Sequence, residues 1–572
     1  MQMDTIREGT IGFLIEKMDR PIEKTISRYV RNNGITSFRV YSLEKPRQNG
    51  SQTQINYMDM NNQYLQVLGL AFQLLDRAES DLDATAAQLS DIFQLDLNWL
   101  TRRLLLNDLF VREARLILAE DKVRQLQGIN EVMIFIRGSE LLEGKNNLVR
   151  CRDFKDFFRP VKMYWDLIRA VLANIEIKPK KTADGKIICV TYPGYFKLIE
   201  DSLKMINNQW GALLAIKDLY APERRKKVNA EGYEYLRTKA KFNVGILPDY
   251  IVKYRLIKKL RKYPKVFQSR LIDIMIRKAG AEYIAKYHRP KLILAKNEYE
   301  VFENLEYAVF KKNNVKYVHY MHGDKIFDVY EAYAESDTFL VWGEYYQELL
   351  NKLRCRSRIA VVGNQKMEKM ASSAAGQVKQ LKQIRNSYGK IISVYMQSSN
   401  GPHDCVRQEK MLNAVINAAR QQNGVFLIIK HHPLEFQHKT PDYERIIAPI
   451  KERVLRVKGE EIDLAETIMA ADLIITPSSV VGLEAILLEK LVLFVNLSSI
   501  PGLVIYPEHN LAQEVTREEE IEPMVAKLLL EGENIRQGID FPYARRYWAN
   551  GLKGNSADLF YKEIEKVLND QQ

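Results

Sequence analysis

Runs rich in isoleucine and valine, each closed by a polar loop and then by a helical stretch, constrain this chain more than any other feature. IISVYM at Ile391, VFLIIK at Val425, ERVLRV at Glu452, ADLIIT at Ala471 and LVLFVN at Leu491 recur with intervening segments such as HDCVRQEKMLNAVINAARQQ and SVVGLEAILLE. Strands that are apolar on both faces belong in a parallel sheet covered on both sides, because joining parallel strands needs a crossover and a helix usually supplies it. RIAVVGNQ near Ser357 reads as the opening of this unit, and a doubly wound domain follows.

Upstream, EVMIFIRG from Glu131, IICVTYPGYF over Ile187 to Phe196, Lys291 to Ala295, Val315 to Tyr320 and Phe339 to Trp342 mark an earlier unit of the same kind. Before it, YLQVLGLAFQLLDRAESDLD from Tyr64 and the apolar periods from Leu95 to Lys122 read as helices, with a short strand at Phe38 to Leu43. The chain therefore divides into a mainly helical extension at 1–125, a Rossmann-like domain with a basic insertion at 126–355, and a second Rossmann-like domain with closing helices at 356–572. Two such units in succession create a cleft lined by strand-end loops, where ligands bind.

The 572 residues, 46% of them hydrophobic, supply cores for several domains. The N-terminus MQMDTIREGTIGFLIEKMDR does not read as a signal peptide, and no run of 18 or more apolar residues occurs. Four widely spaced cysteines argue for a reducing compartment, so the expected location is the cytoplasm, with the cytoplasmic membrane face as a second station. The net charge, 85 − 72 = +13, is concentrated between Arg224 and Lys265. Arg224, Arg225, Lys226, Lys227, Lys258, Lys259, Arg261 and Lys262 are candidates for contact with an anionic acceptor or membrane; a plain solvated basic face is the alternative. Neither an RNP-like pattern nor zinc-finger spacing accompanies them, which disfavours nucleic acid. GxxxxGK[ST] and GxSxG are absent and no clear GxGxxG opens an α/β unit, which turns the reading away from P-loop ATPases, standard hydrolases and dehydrogenases.

Three strand ends carry the candidate chemistry. In LIIKHHPLEFQH, Lys430 can neutralise phosphate and His432 can donate a hydrogen bond, against a purely structural loop. In LIITPSSVVGLEAILLE, the hydroxyls of Ser478 and Ser479 and a helix start can hold phosphate, against a simple serine cap; Glu484 can accept from ribose or sugar hydroxyls, against an ordinary helix glutamate. In HYMHGDKIFD, His322 can act as general base, Gly323 permits close loop geometry, and Asp324 can orient His322 or contact substrate. Glu298, at the strand end in LILAKNEYE, is the rival base. The HxxH spacing of His319 and His322 on a strand and turn does not make a metal site, and no metal or cofactor is expected.

Together the KHHP, PSS and HGD segments resemble the GT-B glycosyltransferase superfamily, especially bacterial enzymes of capsule and teichoic-acid-type polymer synthesis, among them CDP-glycerol glycerophosphotransferases and CMP-sugar-dependent capsule transferases. The resemblance runs from about Glu131 onward. It implies an α/β fold with a GT-B-like pair of Rossmann-like domains and an N-terminal mainly helical extension, the domain at 126–355 facing the acceptor and that at 356–572 holding the nucleotide donor. By this resemblance His432, Ser478 and Ser479 contact the phosphates of an activated donor, and the HG loop corresponds to His322 and Gly323. The loop reads YMHGDKIFD rather than the WHG-type sequence of glycerophosphotransferases. The expected partners are a nucleotide-sugar donor and a glycan or lipid-linked glycan acceptor. Transfer to a surface-glycan or capsule-type hydroxyl leads; a CDP-glycerol-type transferase, an epimerase resembling those that act on UDP-sugars, and a non-catalytic polyanion- or membrane-binding protein are the alternatives.

Overall fold

The computed structural model describes residues 10–15, 20–33, 35, 37–43, 55–58, 63–126, 129–136, 148–150, 184–191, 198–216, 234–236, 265–296, 301–372, 378–398, 404–432, 435, 440–458, 461–498 and 500–570. In chain order the strands are β1 (Thr10–Ile15), β2 (Phe38–Ser42), β3 (Ile55–Tyr57), β4 (Ile129–Ile136), β5 (Leu148–Arg150), β6 (Ile187–Thr191), β7 (Ala212–Ile216), β8 (Glu234–Leu236), β9 (Leu292–Lys296), β10 (Lys316–Tyr320), β11 (Thr338–Val341), β12 (Arg358–Val361), β13 (Lys390–Tyr395), β14 (Val425–Lys430), β15 (Val454–Val457), β16 (Leu473–Thr476), β17 (Leu491–Val495) and β18 (Gln513–Val515).

Among the described residues they form three sheets, ordered β3-β2-β1-β4-β5, β12-β11-β10-β9-β6-β7-β8 and β15-β14-β13-β16-β17-β18. Every pairing is parallel, and each sheet starts in its middle, winds one way for three strands and then winds the other way. Renumbered from its first strand, the third sheet runs 3-2-1-4-5-6, the Rossmann order. The middle and C-terminal units are thus the two Rossmann-like domains of a GT-B-like architecture, preceded by an N-terminal region rich in helix.

Two strands pair differently from the sequence expectation. EVMIFI, counted with the middle unit, lies beside β1 in the first sheet; RIAV, counted as the opening of the last unit, is an edge strand of the middle sheet beside β11. Both are apolar runs whose partner is fixed by long-range pairing, which local pattern does not encode. The N-terminal region accordingly carries its own five-stranded sheet in addition to the expected helices Tyr64–Arg77, Glu79–Phe93, Asn98–Leu105 and Val111–Arg124.

Those helices also cover the middle sheet. Successive strand residues point to opposite faces, and Ile188, Leu213, Ile293 and Tyr317 pack with Leu68, Phe72, Leu104 and Leu105 in one core. The alternate positions, Ile187, Cys189, Leu292, Leu294 and Val318, pack on the other face against Leu203 and against Phe560, Ile564 and Val567. The last three lie on the helix Ser556–Asn569, which follows the C-terminal domain and returns to the middle one. Their spacing of four and three residues makes one helical face, each side chain contributing roughly 1.5–3 kcal/mol by burial. Tyr561 stacks on Trp210 at 5.3 Å and Glu563 pairs with Arg358 at 2.6 Å, fixing the return. No helix among the described residues is long and apolar enough to cross a membrane.

Candidate functional site

Strand order reverses between β13 and β16, and in an open α/β sheet the crevice beyond the carboxyl ends of such strands receives the ligand. Tyr395 closes β13 opposite Lys430 of β14, and the hydroxyl of Thr476, which closes β16, donates to Tyr395 O at 3.3 Å. Two residues beyond this row stand His432, Gln397 and Ser478. The sheet therefore delivers the KHHP and PSS segments to one edge, about 10 Å apart by the spacing of two strands.

The two histidines of KHHP divide into one structural and one presented group. His431 is buried: Arg456 Nε donates to its Nε2 at 3.3 Å, which leaves the proton on Nδ1 to be donated to Glu435 Oε2 at 3.1 Å. The same carboxylate accepts the backbone N–H of His432 at 3.2 Å and the hydroxyl of Tyr443. With the loop held in this way, the His432 imidazole is half-buried, and burial lowers its pKa below the ordinary histidine value. Burial thus favours the neutral ring. Lys430 Nζ donates to Ile462 O at 2.9 Å, so the lysine also braces the loop before Asp463.

Ser479 is the N-cap of the helix Val480–Leu487, its Oγ accepting from Val481 N at 3.3 Å. A capping oxygen still has its O–H to donate, and the neighbouring Ser478 is half-buried at the same start. Glu484 lies beneath this turn at 2% exposure; Oε1 meets Lys366 Nζ at 2.5 Å while Oε2 has no hydrogen-bond partner. Three features of this edge were not apparent from sequence: the Glu435 clasp, Lys366, and Ser398 beyond β13. Ser398 is 8% exposed and its Oγ has no partner. Its only local signal was a polar residue after an apolar run.

On the middle sheet, His322 follows β10 by two residues and is partly exposed. His319, within β10, is wholly buried between the rings of Tyr317 and Phe339; burial first, then the charges of Arg103 and Lys325, pushes its pKa down to about 3. It stays neutral and is no proton carrier for a cleft. A Cβ added at Gly323 would meet nothing within 4 Å and φ there is not left-handed, so the backbone does not require glycine. Asp324 accepts from Tyr346 at 2.8 Å, from Lys325 N at 2.9 Å and from Tyr506 of the C-terminal domain, and burial raises its pKa. The turn after β10 therefore abuts the other Rossmann-like domain.

Glu298 and the basic residues Arg224, Arg225, Lys226, Lys227, Lys258, Lys259, Arg261 and Lys262 lie outside the described residues.

No family model matches the chain, and no curated protein does. Among solved structures it is similar to a putative UDP-N-acetylglucosamine 2-epimerase from Listeria monocytogenes, with 12% identity over 68% of this chain and 98% of that one at a TM-score of 0.48. A glycosyltransferase from Rickettsia africae matches with 13% identity over 68% and 99% at 0.42. The wall teichoic acid polymerase TagF matches with 12% identity over 74% and 99% at 0.41. Likeness at this level does not extend to activity, which resides in sites rather than folds.

Proposed function

We propose that the protein is a glycosyltransferase that moves a sugar from a nucleotide-activated donor to a hydroxyl of a surface-glycan or capsule-type acceptor. The observation that carries this reading is the gathering of His432, Ser478, Ser479 and the unpartnered hydroxyl of Ser398 beyond the strands where the C-terminal sheet reverses direction. Hydroxyls and a neutral imidazole are hydrogen-bond donors to a diphosphate, and the positive end of the helix that Ser479 caps adds a favourable field. Lys430 contributes positive charge to the same edge. The Glu484 oxygen not engaged by Lys366 is the acceptor for a donor hydroxyl.

In this mechanism the donor phosphates take up hydrogen bonds as negative charge develops on the leaving group. His322 removes the proton of the attacking hydroxyl from the opposing domain, with Glu298 as the rival base; Asp324 keeps the turn against the C-terminal domain. Juxtaposition of the two substrates supplies much of the acceleration. The basic stretch around Arg224 to Lys262 is assigned to an anionic acceptor or to the membrane face.

Transfer assays with CMP-, UDP-, GDP- and CDP-linked donors and short glycan acceptors test the proposal. Acceptor-dependent release of nucleotide supports it. Folded protein that binds a donor and transfers nothing to any acceptor would remove it; acceptor-independent conversion of the sugar would make the protein an epimerase, and transfer of glycerol phosphate from CDP-glycerol a phosphotransferase.

A further inference from the structure

We infer that the N-terminal helices position the turn that carries His322, with Arg103 and Asn107 as the positioning residues. This rests on the assignment of His322 as the acceptor-side base. Arg103, on the helix Asn98–Leu105, is fully buried; its Nη1 donates to Asn304 Oδ1 at 2.8 Å and its Nη2 to Tyr330 O at 2.6 Å. One turn on, Asn107 Nδ2 donates to Val329 O at 3.3 Å. Asn304 passes the grip along, its Nδ2 donating to Tyr333 O at 2.7 Å. The carbonyls of residues 329, 330 and 333 are thus held by side chains from outside their own segment, two of them by the N-terminal helices.

The first half of the segment is held from the same side. Phe72 packs on Phe327 with ring centres 6.3 Å apart, and the Tyr64 phenol hydrogen-bonds the Asp328 carboxyl. Within the segment Lys325 and Glu331, both buried, form an ion pair that closes it into a compact loop. Upstream, Met321 N donates to Leu340 O at 3.0 Å. His322, Gly323 and Asp324 are the short span between Met321, fixed by the middle sheet, and Lys325, fixed in a loop that the N-terminal region grips. Buried carbonyls demand donors, and arginine satisfies two partners at once through a planar fork. A shift of the N-terminal helices is transmitted to the His322 turn through hydrogen bonds.

Hydrogen–deuterium exchange on the full chain tests this with Arg103→Met, Arg103→Lys and Asn107→Ala, alongside donor titration and transfer kinetics. Arg103→Met is expected to speed exchange over 322–333 by roughly tenfold or more, since it strips a charged donor from the buried Asn304 Oδ1 and from the Tyr330 carbonyl. The helix Cys405–Gln421 and donor affinity should stay unchanged while kcat for transfer falls. Arg103→Lys should recover part of both exchange protection and kcat, and Asn107→Ala should move both in the same direction by less. Unchanged exchange at 322–333 in Arg103→Met, or protection lost evenly across the middle domain, would overturn the inference; if that variant does not fold, unchanged exchange in Asn107→Ala overturns it instead. Exchange is read without turnover, so absence of transfer by the parent protein would remove the role of His322 and leave the mechanical coupling separately judged.

Discussion

Asp324, in the turn after β10, accepts a hydrogen bond from the phenol of Tyr506, which belongs to the short helix Tyr506–His509 of the C-terminal domain. Tyr346, from the middle domain, donates to the other oxygen of the same carboxyl at 2.8 Å. One carboxyl therefore joins both domains beside the candidate cleft. Tyr506→Phe should cost about 1–2 kcal/mol by leaving a buried oxygen with one donor fewer. Combined with Asp324→Asn, the double variant should be less destabilised than the sum of the singles, a coupling readable by denaturant unfolding. Strict additivity would remove the tie.

His432 and Glu435 should separate binding from stability. His432→Ala is expected to weaken donor affinity about tenfold with a change in stability under about 1 kcal/mol, while His432→Gln, which keeps a neutral donor, retains more affinity. Glu435→Ala strips the shared acceptor from His431, His432 N and Tyr443 in a fully buried setting and should destabilise by about 3–5 kcal/mol. Isothermal titration with the preferred donor and thermal melting distinguish the two. Equal effects of both substitutions on melting would contradict the division.

The carboxyl of Glu335 supplies a pH signature. Burial, with a smaller contribution from Asp96, raises its pKa from 4.5 to about 7. The native state then holds the proton more tightly than the unfolded chain, so stability from this group is complete below about 4.5 and is lost as pH rises to about 7. Glu335→Gln should flatten that part of the profile and stabilise the protein at pH 8 by about 1–3 kcal/mol, with little change at pH 4. Melting curves across the range decide the matter; parallel profiles for parent and variant would refute it.

Two glycines should respond in opposite ways to alanine. A Cβ at Gly343 would lie 2.3 Å from Tyr547 O and 2.5 Å from Trp548 C, backbone that cannot yield locally, so Gly343→Ala should destabilise by about 1–3 kcal/mol. Gly323→Ala fills open space and should leave stability within about 0.5 kcal/mol. If Gly323→Ala nevertheless impairs transfer at unchanged melting temperature, a ligand approaches the backbone there; unimpaired transfer would place the acceptor elsewhere.

The strands legible in sequence were those in which four or five apolar residues sit in a sheet covered on both faces, such as β9, β13, β14 and β17. β3, β5, β8 and β18 have three residues each, too few for a pattern. The candidate site was legible to the extent that its groups follow those long strands: His432, Ser478 and His322 are read off strand ends. Glu435, Tyr506, Lys366 and Arg103 were not, because each acquires its meaning from a partner on another element. Asp324, a plausible orienter of His322 by proximity in sequence, is engaged by two tyrosines and Lys325 N, none of which that spacing indicates.

The helix Ser556–Asn569 covers a face of a sheet whose last strand, β12, is completed before the C-terminal domain begins. During synthesis Ile187, Leu292, Leu294 and Val318 therefore wait for Phe560, Ile564 and Val567 until the entire following domain has left the ribosome. Vectorial, domain-by-domain maturation is interrupted here, and the half-finished middle domain presents an oily surface for as long as that takes. Nascent chains stalled short of Ser556 should be clients of holdase chaperones even though every strand of the middle sheet has already been made.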